Sequence, residues 1–61
     1  MNEELAIMWL RDRASELRRG AALVERAYEG DYMLSTCNYV AAAYRKAAVV
    51  LDEAADEVTP A

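Results

Sequence analysis

The sequence predicts an all-α protein: a two-helix antiparallel coiled-coil hairpin that pairs with a second copy into a four-helix bundle. Three observations carry that expectation. Apolar residues recur every three and four positions along two stretches, thirteen of the 61 residues are alanine, and Gly30 and Pro60 sit where the stretches end. Alanine is the strongest helix former, whereas Gly and Pro are the weakest, so punctuation at the ends leaves both runs free to propagate.

The first stretch runs Ile7, Leu10, Ala14, Leu17, Ala21, Val24 and Tyr28, with steps alternating strictly between three and four. That spacing is a heptad seam, the pattern that keeps one apolar line facing a partner helix. Asn2 fits the N-cap, and Glu3 and Glu4 suit the positive end of the helix dipole. Gly30 can adopt the left-handed conformation that closes a helix. Helix 1 is expected over about residues 3–29, and the turn at 30–31.

A second seam runs Met33, Cys37, Val40, Tyr44, Ala47, Leu51, Ala54 and Val58. Because it reaches back to Met33, helix 2 is expected over about 32–58 with Asp31 as its N-cap. A start after Ser35 or Thr36, both good caps, would leave a longer loop. Thr59, Pro60 and Ala61 form a short tail, since proline cannot continue the helix. The whole chain, 1–61, is then one domain.

The two seams match each other. Folding about Gly30 and Asp31 brings together residues whose numbers add to 61, from Tyr28 with Met33 through Val24 with Cys37, Ala21 with Val40, Leu17 with Tyr44, Ala14 with Ala47 and Leu10 with Leu51 to Ile7 with Ala54. The same alignment places Arg11 and Arg13 near Asp52, Glu53 and Asp56. Such surface pairs contribute about 0–1 kcal/mol each, so they select register more than they add stability.

A chain of this size buries only about 60 % of the surface its unfolded form exposes, and usually needs a disulfide, a metal or oligomerisation. Cys37 is the single cysteine and histidine is absent. An intrachain disulfide and a zinc site of the usual Cys/His type are therefore excluded, which leaves oligomerisation. Helix 2 supports it, because Ala41, Ala42, Ala43, Ala48, Val49, Val50 and Ala55 surround the seam and ask for cover on more than one side. On helix 1, Trp9 and Leu23 also lie off the seam, beside the small residues Ala6, Gly20 and Ala27. The expected self-association or partner interface is Trp9, Leu23 and Ala27 with Tyr39, Ala43 and Val50.

Catalytic chemistry finds no support. Cys37 has no histidine to activate it, and the di-iron bundle signature needs Glu-x-x-His. Asp52, Glu53, Asp56 and Glu57 read as a solvated acidic face. Tyr28 and Tyr44 read as core, with Tyr32 and Tyr39 more exposed. No cofactor, no metal and no enzymatic activity are expected. Arg11, Arg13, Arg18 and Arg19 form the single basic cluster, in a chain of net charge −4 and pI near 4.6. A nucleic-acid interface needs a basic surface, so binding through Arg11, Arg18 and Arg19 is the alternative function, not the favoured one.

No run approaches the 18 or more apolar residues of a membrane span, and the start, Asn2-Glu3-Glu4, lacks the basic opening of a secretory signal. A cytoplasmic setting is expected. Six arginines against one lysine, with abundant alanine, point to a GC-rich bacterial or phage genome.

Gly30, Asp31 and Tyr32, followed by Ser35, Tyr39 and Ala42, resemble the turn and second helix of a tetratricopeptide repeat. The first-helix Trp-Leu-Gly-Tyr positions are missing and both helices are about twice the repeat's length, which excludes that family. In length and seam the chain is similar to the repressor-of-primer hairpins, which dimerise into four-helix bundles and bind RNA; no RNA-contacting motif carries over. The function expected is a non-enzymatic protein–protein interaction module, a homodimeric bundle serving as a small adaptor, inhibitor or host-modulating protein.

Overall fold

A computed structural model of the chain describes residues 2–27 and 34–59, with side chains over 2–27 and 38–59. Two helices, α1 (Glu3–Ala27) and α2 (Leu34–Val58), pack against each other along a body of 46 × 15 × 14 Å. The Asn2 side chain caps α1 as expected, its Oδ1 accepting the Leu5 amide at 2.9 Å. This satisfies one of the donors a helix start leaves free, and Glu3 and Glu4 occupy the first turn. Ser35 and Thr36 lie inside α2, so the later start for helix 2 does not hold. Gly30 and Asp31, the expected turn and cap, fall outside the described residues, as do Tyr28, Tyr32 and Met33.

At its far end α2 is closed by Thr59. Its amide and its hydroxyl both donate to the Ala55 carbonyl, at 3.0 and 2.8 Å. Thus Thr59 satisfies an orphan carbonyl immediately before proline stops the helix.

The seam of α2 differs from the sequence reading. The fully buried apolar residues among those described are Ala14 and Ala21 on α1 and Ala41, Ala48 and Ala55 on α2. Both sets are spaced by sevens. Ala47, expected in the seam, is exposed, and Val40 and Ala54 are only half-buried. Helix 2 is therefore turned by one residue, replacing 40, 47 and 54 with 41, 48 and 55. Tyr44, Leu51 and Val58 stay beside the new line. The physical reason is close approach: two helices settle where their smallest side chains meet, and neighbouring alanines such as 47 and 48 look identical to an apolar pattern.

The large apolar side chains end up beside the line. Ile7, Leu10, Leu17, Val24, Val40, Leu51 and Val58 are half-buried, and Tyr44 keeps 39 % of its surface exposed. Gly20 lies against this tyrosine; a β-carbon there would come within 3.3 Å of the ring.

Candidate interaction surface

Helical geometry, at about 100° per residue, divides the hairpin about its alanine line. Arg11, Arg18 and Glu25 fall on one side of Ala14 and Ala21, and Arg45, Asp52 and Asp56 on the corresponding side of Ala48 and Ala55. Here the helices are tied by charge. Arg18 Nη2 donates to Asp52 Oδ2 at 2.6 Å, and Arg11 Nη2 to Asp56 Oδ1 at 2.9 Å. A longer contact of 3.7 Å joins Arg11 to Asp52. Nearer the other end, the Arg45 guanidinium grips both Glu25 oxygens, at 2.7 and 2.9 Å. That fork holds the Glu25 carboxyl below its ordinary pKa, through the hydrogen bond first, and raises Arg45 in return.

Arg11 thus meets Asp52 and Asp56 as expected, whereas Arg13 does not. It turns to Glu16 on its own helix at 3.1 Å and lies 5.7 Å from the Trp9 ring centroid, within cation–π range. The Arg18–Asp52 and Arg45–Glu25 ties escaped the sequence reading. They lie beside the alanine line, on the edge where Arg11 also meets Asp52.

On the other side of the line lies the apolar face. Leu10, Leu17 and Val24 of α1 approach it with Val40, Tyr44 and Leu51 of α2. Its centre is an open groove of about 530 Å³ lined by Trp9, Arg13, Glu16, Leu17, Tyr44 and Leu51. Leu17 and Tyr44, expected to face each other, share this groove.

The six residues expected to form an interface are all exposed: Trp9 at 56 %, Leu23 at 64 %, Tyr39 at 78 % and Val50 at 58 %, with Ala27 and Ala43. They do not gather into one depression. Trp9 walls the central groove; Leu23 sits with Arg19, Ala22 and Arg26 in a shallow hollow of about 250 Å³. Tyr39 and Ala43 line another, of about 230 Å³, with Ala42 and Lys46.

The arginines proposed for nucleic acid are also dispersed. Arg11 and Arg18 are on the paired edge and both reach Asp52, while Arg19 lies about 100° further round α1. Among the described residues no cluster of three or more His, Cys, Asp or Glu could hold a metal ion, and neither helix is long and apolar enough to cross a membrane. The side chain of Cys37 is outside the described set. Set against known proteins, the chain matches no family model, no curated protein and no solved structure.

Proposed function

We propose that this chain is a non-enzymatic protein–protein interaction module, a homo-oligomeric four-helix bundle acting in the cytoplasm as a small adaptor, inhibitor or host-modulating protein. One observation carries the proposal: alanines alone are fully buried, and every large apolar side chain among the described residues remains in partial contact with water. Complete burial of a leucine or valine contributes about 1.5–3 kcal/mol over leaving it exposed, a gain a chain this small can hardly forgo. A covering helical surface supplies it.

Stability should then depend on protein concentration. Sedimentation equilibrium and thermal melts from about 1 to 100 µM test this. A dimer whose melting temperature climbs with concentration supports the module; a monomer melting at one temperature throughout removes it. Nucleic-acid binding is the weaker reading, because carboxylates already occupy Arg11 and Arg18. A mobility shift at about 0.15 M salt, lost in the triple substitution of Arg11, Arg18 and Arg19 by Ala, would reverse that order.

A further inference from the structure

The distribution of charge along the hairpin says how a second copy sits on the apolar face. Where α1 starts and α2 ends, residues 3–15 and 47–58 carry seven carboxylates against Arg11 and Arg13, a net of −5. Over residues 16–46, five cations oppose Glu16, Glu25, Glu29 and Asp31, a net of +1. The Arg11–Asp56 bond shows that the start of α1 and the end of α2 share one end of the molecule. The negative charge of each hairpin is therefore concentrated in one half, and the other half is slightly positive.

Two hairpins can meet face to face about a twofold axis that runs either along the helices or across them. An axis along them would stack the two acidic halves on each other. An axis across them lays each acidic half on the other copy's slightly positive half and keeps the two −5 halves apart. We infer that the apolar face binds a second copy of this chain in the crosswise arrangement, with α1 antiparallel to α1 and α2 antiparallel to α2. This rests on the self-association proposed above and adds its geometry.

Size and detail agree. A face of 46 × 15 Å amounts to about 700 Å² per copy, close to the roughly 800 Å² per partner of a standard stable interface. Centring α1 on its midpoint, Ser15, brings Trp9 level with Ala21 of the second copy and within one turn of its Leu23. Trp9 and Leu23 thereby gain a common neighbour that the lone hairpin denies them. On α2 the axis passes beside Lys46 and Ala47, and the exposed Ala47 lets the two backbones come close.

Two measurements test the arrangement. In wild-type protein the dimer dissociation constant should rise about tenfold between about 0.05 and 0.5 M salt, since opposite charges are being screened. In the Cys37→Ala, Ala47→Cys variant, mild oxidation should link the two copies, because position 47 meets its twin across the axis. A dimer that tightens with salt and resists this cross-link has its axis along the helices; the crosswise geometry then fails while self-association stands. A monomer under all conditions sinks both. The salt dependence needs no substitution, so it decides even where the cysteine variant folds poorly.

Discussion

The two sides of the alanine line are built from the same helices yet solve opposite problems. On the paired edge, arginines and carboxylates from α1 and α2 find one another and remain wet, with side chains still 29–71 % exposed. On the apolar face, Leu17, Tyr44 and Leu51 lean toward each other across an open groove without closing it. The edge is complete within one chain and the face is not. Charge pairing needs only two long side chains that reach, whereas hydrophobic cover needs volume on every side of the group. A two-helix chain has enough reach for the first and too little volume for the second.

The contrast can be broken most forcefully at the face. Leu17→Ala should cost about 2–5 kcal/mol in the assembled protein, because it opens a cavity beside Tyr44 at the centre of the groove. In a lone hairpin the same change, at a half-buried site, should cost roughly 1 kcal/mol. Chemical denaturation at high and low protein concentration separates the two, and an equal, small loss at both would mean that the face stays open.

The line itself comes next. Ala48→Leu should destabilise by about 1–3 kcal/mol through overpacking, while Ala42→Leu, on the exposed outer side of α2, should stay within about 0.5 kcal/mol. If melts rank these two the other way, α2 is not turned onto Ala48.

Gly20→Ala is a finer probe. Replacing a mid-helix glycine gains up to about 1 kcal/mol of helix propensity, against the cost of moving Tyr44 by a few tenths of an ångström. Tyr44 borders open space and can give, so a net gain of about 0.5 kcal/mol is expected in dilute protein. A loss would show the ring to be held in place.

The smallest effect belongs to the edge. The Glu25 carboxyl sits below its ordinary pKa because Arg45 binds its charged form. A group with a depressed folded pKa contributes stability above its unfolded value and loses it as pH falls through the folded one. Glu25→Gln should therefore lower the melting temperature slightly at neutral pH, with the difference from wild type disappearing as pH falls through the carboxylate range. Both groups lie at the surface, so added salt should erase even that difference.

Much of the fold was legible beforehand because it is local. Asn2 could be named as the cap of α1 from its side chain and the acids behind it, and the Arg11 contacts with Asp52 and Asp56 followed from antiparallel pairing. The exposure of Trp9, Leu23, Tyr39 and Val50 followed from positions off the seam. The division of Trp9, Leu23 and Tyr39 among three hollows did not, since a seam records which residues face a partner and not how far apart their side chains end up. Arg13 illustrates the same limit. Antiparallel pairing placed it near the acids of α2, and the structure instead pairs it with Glu16 and the Trp9 ring, a choice that depends on side-chain geometry.

By itself, the sequence determined two helices, their antiparallel pairing, the absence of an intrachain disulfide, and an excess of apolar surface over what one hairpin can bury. Periodicity, capping and composition are properties of neighbours along the chain, so they survive without any tertiary detail. Only the tertiary structure decided which alanines meet. Ala47 and Ala48 have the same side chain and propensity, and differ by about 100° around α2. Packing chose Ala48, and with it the side of the hairpin on which Arg18 and Arg45 find their carboxylates and the side on which Leu17, Tyr44 and Leu51 remain open. Choosing between those neighbours takes the shape of both helices at once, which no single stretch of sequence contains.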